Sequence, residues 1–393
     1  MRILHTSDWH LGHTFTTHDR TDEFEHFFRQ LISIAKDRQP DAIVVSGDIF
    51  HTANPNIASQ KLFFNTLDKL HRAVPDCIIV ITAGNHDSGA RIEASKAICL
   101  AHNIHIIGTY TGGDEATLSQ FLVEVPGKGL ILAVPFFPTS YFPAVDRDNT
   151  DTPRMQAFFL ALQEYAETIN SAALPVVMMA HVAVDGCDTH GHDEGIVAGM
   201  ATESLTKFGN YYDYLALGHI HKPQDINKRV RYCGTPLAIS FAEAYAHSVS
   251  LVEISQHGAL PDIEKVEISP MRQIYTIHGN TREEAMETLE GVLDQDCYVR
   301  ITLDPSVAVT PEVHSIFASM FDGKAARFCR VENVKVKAAE AAAVDDADAP
   351  DLETIQERNP IDVACEYYKK KNDAEMPLDL KNLLQDLIST LNL

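Results

Sequence analysis

Five short apolar runs in this sequence each end in residues whose side chains can bind a metal ion. These residues are Asp8 and His10, Asp48, Asn85 and His86, His181, and His219 and His221. Turns favour Asp and Asn for backbone reasons, but a turn gives no reason for histidine at so many of these ends. Imidazole and carboxylate together suit Mn, Fe or Zn, and two ions about 3.5–4 Å apart can clamp a phosphoryl group during its displacement. The pattern therefore predicts a two-metal site, in which Asp48 is the natural bridging carboxylate.

The strands that must position these residues are predicted from a series of apolar runs. The runs are RILHTS, DAIVVSG, CIIVITA, LILAVPF, PVVMMA and YLALG. Being apolar throughout is typical of strands that are covered on both faces. Helical patterns separate the early runs, so the sequence predicts an α/β domain, in which ligand sites gather at the carboxyl ends of the strands. Further along, YAHSVSLVEI and IEKVEIS predict a β-hairpin.

The remainder of the chain is predicted to form separate units. A domain over 1–269 carries the candidate metal ligands, and alternating strand and helix patterns predict a β-α-β-α-β domain over 270–337. An acidic Ala/Asp linker follows over 338–354. The segment 355–393 is predicted to be a helical tail, and its stripe of leucines needs a hydrophobic surface to cover it.

Composition limits the kind of protein and its compartment. The formal net charge of −23 argues against a partner with a phosphate backbone, although bound cations would offset part of it. The seven cysteines are scattered without a C-x-x-C pair, which fits a reducing cytoplasm. No apolar run approaches the roughly 20 residues that span a membrane, and the N-terminus lacks the pattern of a signal peptide. We therefore expect a cytoplasmic protein without a membrane segment.

The order of the metal-binding motifs resembles a known family. SDWHLG, SGDIF, GNHDS, AHVAVDG and GHIH form the motif series of the calcineurin-like metallophosphoesterases. The opening MRILHTSDWHLGH, the segment VRYCGTPLAISF and the small second domain with its tail are similar to the branch of double-strand-break repair nucleases. The resemblance implies an α/β fold: a metallophosphoesterase β-sandwich flanked by helices, plus a small α/β capping domain and a C-terminal helical tail.

The resemblance also implies a role for each residue of the motif series. It implies two divalent metal ions, of which Mn is favoured. The first is bound by Asp8, His10 and His221, the second by Asn85, His181 and His219, and Asp48 bridges them. His86 faces the scissile phosphate, where it stabilises charge or protonates the leaving oxygen, and we infer that Asp87 orients its imidazole. His51 is either a catalytic residue near the substrate phosphate or an exposed loop histidine.

The implied function is that of a DNA phosphodiesterase working with an SbcC-like ATPase in DNA repair, recombination and replication. It would act as an exonuclease on double-stranded ends and as an endonuclease on single strands or hairpins. The alternatives are a phosphomonoesterase or small-molecule phosphodiesterase on the same scaffold, or an inert adaptor for the ATPase. Lys222 is a candidate DNA contact, and the loop with His190, His192 and Asp193 is expected to be a solvated rim.

The implied assembly is a homodimer within a heterotetramer. Helices over QKLFFNTLDKLH and RIEASKAICLAH are the expected dimer surfaces. Phe63, Phe64 and Leu67 could supply a partner-facing patch on the first of these helices, or they could belong to the internal core. The tail is implied to meet the base of the coiled coil of the ATPase.

Overall fold

The structure is a computed structural model that describes residues 1–110, 118–138, 142, 145, 152–189, 202–334, 377 and 381. The chain divides into two compact units, Met1–Val334 and Lys335–Leu393. The linker predicted over 338–354 lies outside the described residues, as does the tail predicted over 355–393 except for two isolated positions. The domain boundary predicted after residue 269 remains a prediction.

The first sheet holds six strands, four of which run parallel. In spatial order they are β12 (Asp262–Glu267), β11 (Ser248–Glu253), β1 (Arg2–Thr6), β2 (Ala42–Ser46), β3 (Ile78–Thr82) and β4 (Ile104–Ile107). The parallel strands are β1 to β4, and β11 and β12 extend the sheet as an antiparallel pair. The hairpin predicted from the sequence is thereby confirmed.

The second sheet also holds six strands with a parallel centre. In spatial order they are β5 (Leu122–Val125), β6 (Gly129–Ala133), β7 (Val176–His181), β8 (Tyr214–Gly218), β10 (Val230–Tyr232) and β9 (Gln224–Asp225). The strands β6, β7, β8 and β10 are parallel, and the two edge strands are antiparallel to their neighbours.

The two sheets pack face to face, and this packing explains why their strands are apolar throughout. Alternate residues of a strand point to opposite faces. In β1, Ile3 belongs to the core between the sheets, together with Met178 of β7, whereas Leu4 belongs to the core under the helices. Burial on both faces therefore requires apolar residues at every position. The predicted β-sandwich is confirmed.

Helices cover the outer faces of the sandwich. They are α1 (Thr21–Arg38), α2 (Ile57–Ala73), α3 (Gly89–Glu93), α4 (Lys96–Leu100) and α5 (Arg154–Ile169). Phe63 and Leu67 of α2 are buried in the core against the first sheet. Of the two alternatives, these two side chains therefore match the internal core and not the partner-facing patch, since a helix on a sheet turns its apolar stripe inward. Phe64 alone of the three is exposed, at 41%.

A small parallel sheet follows the sandwich within the first unit. Its elements are β13 (Gln273–Gly279), α6 (Arg282–Glu290), β14 (Cys297–Leu303), α7 (Pro311–Ser319) and β15 (Arg327–Asn333). It has its own apolar core, to which α6 contributes Leu289 and α7 contributes Phe317. Arg272, buried beside β13, bonds Asp22 of α1 and so ties this sheet to the sandwich. Among the described residues, no helix is long and apolar enough to cross a membrane.

Candidate metal centre

The candidate metal ligands stand where parallel strands of both sheets end. Asp8 follows β1 and Asp48 follows β2 in the first sheet, while His181 ends β7 and His219 follows β8 in the second. Because the two sheets share one core, the ends of their central strands meet at one edge of the sandwich. His181 Nε2 consequently lies 3.3 Å from Asp48 Oδ2 across the sheets.

Three groups of three side chains have their metal-binding atoms within 4.8 Å of one another, and two of these groups consist entirely of predicted metal ligands. One group is Asp8, His10 and His221, and the other is Asp8, Asp48 and His181. All of these residues are buried. Asp48 Oδ2 lies 3.6 Å from His10 Nε2 and 3.3 Å from His181 Nε2, so one carboxylate oxygen stands between histidines of the two groups. A carboxylate that bridges two ions needs this position.

Asn85 joins the second group from the loop after β3. Its Oδ1 lies 2.9 Å from His181 Nε2 and 2.9 Å from His219 Nδ1. His181 Nδ1 lies 2.9 Å from the backbone oxygen of Ser46. Because a carbonyl oxygen can only accept, Nδ1 carries a proton, and Nε2 is the nitrogen that faces the site and can bind a cation once its own proton is lost. Asn85, His181 and His219 thus converge on one point.

The loops that carry these residues adopt an uncommon backbone conformation. Among the described residues, eight that are not glycine have a positive φ, and four of these eight are candidate ligands: Asp8 (52°), His10 (47°), Asp48 (50°) and His219 (93°). Such conformations cost free energy and persist where surrounding structure imposes them. Here hydrogen bonds between the loops impose them. The Asp8 N–H donates to Gly47 O and the His10 N–H donates to Asp48 O, while the His219 N–H donates to Asp8 Oδ1.

Glycine allows the loops to approach one another closely. A Cβ atom on Gly84 would lie 2.1 Å from Asp48 Oδ1 and 2.2 Å from the Asp48 backbone nitrogen. A Cβ atom on Gly47 would lie 2.2 Å from His181 Nδ1. Any side chain at either position would therefore displace a candidate metal ligand.

Burial and mutual charge shift the protonation of the site strongly. Burial and the nearby Asp48 carboxylate raise the pKa of Asp8 to about 7. Burial opposes the charged form of His181, but the carboxylates of Asp48 and Asp8 outweigh it and raise its pKa to about 9. Burial holds the pKa of His10 well below its usual range. The buried carboxylates thus require nearby positive charge, which either a proton on His181 or a bound cation can supply.

Comparison with known proteins identifies the family. Residues 1–223 match the family model described as calcineurin-like phosphoesterase. The chain is 34% identical to the SbcD component of nuclease SbcCD from Rhodobacter capsulatus, over 66% of this chain and 68% of that one. It is 35% identical to the protein of the same name from Bacillus subtilis, over 64% of this chain and 66% of that one. It is 27% identical to the protein of the same name from Escherichia coli, over 80% of each chain. The chain belongs to the SbcD family of calcineurin-like phosphoesterases.

SbcD-family phosphoesterases use divalent metal ions, and the buried polar atoms of this chain fit such ions. Asp8 Oδ2 and both ring nitrogens of His10 are buried, and the described residues offer them no hydrogen-bond partner. Buried polar atoms without a partner are costly, and a cation bound between them would remove that cost. The donors are imidazole, carboxylate and amide oxygen without thiolate, which suits Mn²⁺ and similar ions.

His86 and His51 lie beside the first group of this SbcD-family site. The imidazole rings of His10, His51 and His86 are neighbours, with centroids 5.0–5.7 Å apart. His86 Nδ1 lies 2.9 Å from the backbone oxygen of His51. His51 is half-buried, so it does not match the alternative of an exposed loop histidine. Its catalytic role remains a prediction.

The inferred role of Asp87 in orienting His86 is wrong. The Asp87 carboxylate accepts hydrogen bonds from the backbone N–H groups of Ile49, Phe50 and Gly84 at 2.8–3.0 Å. The backbone oxygen of His51 takes the place beside His86 Nδ1 that was assigned to Asp87. Three backbone N–H groups within reach satisfy the Asp87 carboxylate better than one ring N–H of His86 would. Through these hydrogen bonds, Asp87 joins the loop that carries Asp48 to the loop that carries Asn85.

Sequence reasoning missed two residues that contact the site. His13 stacks edge-on against His51 with centroids 4.8 Å apart, and its Nδ1 lies 3.4 Å from the Arg20 guanidinium. Glu243 Oε1 lies 3.2 Å from His221 Nδ1, where it fixes the ring of a histidine that is grouped with Asp8 and His10. The position of His13 in SDWHLGH was a usable signal. Glu243 lies in a loop with no motif, so no local pattern indicated its role.

Two further predictions concern the rim of the site. The Lys222 ammonium group is paired with the Asp188 carboxylate. Its contact with DNA remains a prediction. The loop residues His190, His192 and Asp193 lie outside the described residues.

Proposed function

We propose that this protein is a two-metal DNA phosphodiesterase, an exonuclease on double-stranded ends and an endonuclease on single strands or hairpins. The observation that carries the proposal is the convergence of imidazole, carboxylate and amide ligands, with His86 beside them, at one edge of the sandwich. The SbcD relatives, which are named as components of a nuclease, support nucleic acid as the substrate. Bound divalent cations would offset part of the net charge of −23 that opposes a phosphate backbone.

The ligand assignment divides the converging residues between two ions. Asp8, His10 and His221 would hold one ion, Asn85, His181 and His219 would hold the other, and Asp48 would be shared between them. The distances from Asp48 Oδ2 to His10 and His181 support the bridge. When bound, Mn²⁺ or a similar ion supplies Lewis-acid stabilisation of the charge on the transferring phosphoryl group.

His86 is the residue to which we assign proton transfer. The carbonyl of His51 accepts from Nδ1–H and holds that proton in place, so Nε2 is the nitrogen available to the substrate. As the oxygen of a water molecule bonds to phosphorus and the P–O bond to the leaving group breaks, Nε2–H of the imidazolium form donates its proton to the departing oxygen, which leaves the neutral Nδ1–H tautomer. His51 fixes this geometry through its backbone, and its ring, stacked 5.7 Å from that of His86, lines the same side of the site.

Two partners follow from the family and the sequence. We assign the helical tail over 355–393 to an SbcC-like ATPase, because a leucine stripe after a linker requires a hydrophobic partner. We assign homodimer formation, within a heterotetramer, to the exposed apolar side chains Ile57 and Phe64 of α2 and Ile98 and Leu100 of α4. The two helices end near each other, since the rings of His71 and His102 are 4.9 Å apart.

The test is an assay of the pure, full-length protein with Mn²⁺ on single-stranded DNA beside an aryl phosphate monoester. We expect DNA cleavage that EDTA abolishes. His86→Ala should bind Mn²⁺ and DNA normally while turnover falls by roughly 10²–10⁴, the range for a lost general acid. His314→Ala, which removes an exposed histidine of α7, should match the wild type.

Three results would contradict the proposal. Hydrolysis of the monoester without DNA cleavage would favour a phosphomonoesterase, and no hydrolysis of either substrate would favour an adaptor for the ATPase. Loss of Mn²⁺ binding in His86→Ala would make His86 a ligand and overturn its assignment to proton transfer.

A further inference from the structure

An apolar pocket of about 260 Å³ adjoins the candidate metal centre on the side of the second sheet. Its walls are mainly aromatic and aliphatic: Phe142, Met155 and Phe159 are buried in its depth, and Phe136 and Phe137 are partly exposed at its mouth. Apolar surface of this kind gains free energy when a flat, apolar ligand covers it. The reaction assigned above uses none of these five apolar side chains.

The position of the pocket ties it to the reacting phosphate. Its wall includes Asn85, His181 and His219, the three residues that converge on one predicted ion. The Phe136 ring stands edge-on to the imidazole of His181, with centroids 6.3 Å apart, and the Phe136 N–H donates to Ala83 O at 2.8 Å. A group in the pocket would therefore lie directly beside a phosphate held at the metal centre.

Size and charge limit what can enter. An engineered apolar cavity of about 150 Å³ holds one benzene ring, and drug-sized ligands occupy roughly 300–1,000 Å³. A cavity of about 260 Å³ therefore suits one group of one or two fused rings. Glu203 is the acidic residue in the described wall, and it is paired with Lys207. Away from Asn85, His181 and His219, the described wall offers a phosphate only the Glu203 carboxylate and apolar side chains, so the phosphate stays at the histidines and an uncharged ring enters the pocket.

We propose that this pocket binds one unpaired nucleobase of the strand being cut, next to the cleaved phosphodiester. The proposal rests on the proposed DNA phosphodiesterase function. Every base has an apolar aromatic face that stacks on phenylalanine rings, and its hydrogen-bonding edge can remain in water at the open mouth. A base in a duplex is already stacked and paired, so occupation requires a single strand, a hairpin loop or a frayed end. The pocket thereby favours cleavage at unpaired nucleotides.

The first experiment varies the substrate and leaves the protein unchanged. Full-length protein with Mn²⁺ is given a single-stranded oligonucleotide, and a set of copies in which one abasic nucleotide is moved stepwise along the strand. We expect an abasic nucleotide at one position next to a given phosphodiester bond to lower kcat/KM for cleavage of that bond by roughly 5- to 150-fold. This is the range for loss of one base stacked on an aromatic side chain. Abasic nucleotides several positions away should leave it unchanged.

The second experiment varies the pocket. Phe137 lines it, and the ring contacts of Phe137 among the described residues are to Tyr110, Phe121 and Phe142, none of which is a candidate ligand. Phe137→Ala should cut the intact strand several-fold more slowly than the wild type does. The variant and the wild type should cut the abasic strand at the same rate, because the substitution and the missing base remove the same contact. Phe328→Ala, which removes a partly buried ring of the small sheet, should behave as the wild type on both strands.

The outcomes separate this proposal from the function on which it rests. If the wild type does not cut the intact strand, the DNA phosphodiesterase function fails. If the intact strand is cut and no abasic position alters the rate, the pocket holds something other than a base and this proposal alone is overturned. The proposal is also overturned if the abasic nucleotide slows cleavage by Phe137→Ala as much as it slows cleavage by the wild type. Should that variant fail to fold, the abasic scan with the wild type decides.

Discussion

Replacing Gly84 by alanine should damage the candidate metal centre although no ligand is changed. The backbone of Gly84 lies outside the left-handed region, so alanine is strained there only by its neighbours. The new Cβ would lie 2.2 Å from the Asp48 backbone nitrogen and 2.1 Å from its Oδ1. The two loops must separate by about 1 Å before this contact becomes tolerable. The Asp48 loop cannot yield by a rotamer change, because one of the clashing atoms belongs to the backbone.

The size of the effect follows from what Asp48 holds. Its Oδ1 accepts from the His86 N–H at 2.9 Å, and its Oδ2 lies near both His10 and His181. A displacement of about 1 Å at a catalytic site costs roughly 10²-fold in rate, and overpacking costs about 1–3 kcal/mol of stability. We therefore expect turnover to fall about 100-fold, Mn²⁺ affinity to weaken, and the free energy of unfolding to drop by about 1–3 kcal/mol.

Three measurements on two variants test this expectation. Gly84→Ala is compared with Gly291→Ala, in which the nearest atom to the new Cβ is Thr288 O at 3.4 Å and φ is −66°. Titration calorimetry with Mn²⁺, steady-state cleavage of single-stranded DNA and urea unfolding should separate the two variants clearly. If Gly84→Ala binds Mn²⁺ and cuts DNA like Gly291→Ala, the close approach of the two loops does not position Asp48.

Four further changes test other parts of the protein. Asp48→Asn should weaken binding of both cations, because one carboxylate serves both groups, and calorimetry showing two fully occupied sites would exclude the bridge. Arg272→Met should lower the free energy of unfolding by on the order of 2 kcal/mol, since it removes the buried guanidinium group that joins Asp22 of α1 to Asp296 beside the small sheet, and an unchanged urea midpoint would contradict this. Phe64→Glu combined with Ile98→Glu should convert a dimer to a monomer by light scattering, whereas a wild type that is monomeric at micromolar concentration would refute the dimer. Truncation after Lys337 should keep Mn²⁺-dependent cutting of single strands and abolish co-purification with an SbcC-like ATPase, and aggregation or loss of metal would show that the tail packs on its own catalytic domain.

Much of the site could be predicted from local sequence. Asp48 and His181 each follow or end a run that is buried on both faces, and parallel strands must end at the same edge of a sheet. Local pattern therefore specified which residues meet. The same logic left the side that Phe63 and Leu67 face undecided, because a helical apolar stripe is the same whether it covers a sheet of its own chain or a partner.

Pairing between particular side chains could not be predicted in this way. The carboxylate of Asp87 was expected to bond the adjacent imidazole of His86, but it bonds backbone N–H groups of the Asp48 loop, which are distant in sequence and close in space. Glu243 reaches His221 from a loop without a motif. The pocket beside the metal centre is likewise assembled from separate segments, so no single stretch of sequence indicated it.

The sequence by itself determined the strands, the family and the set of candidate metal ligands, because hydrophobic period and side-chain chemistry are local properties. Only the tertiary structure decided which oxygen lies beside which nitrogen, which apolar side chains face solvent, and which loops constrain one another. Those outcomes depend on contacts between distant segments, such as the approach of Gly84 to Asp48, where a single additional carbon atom would not fit.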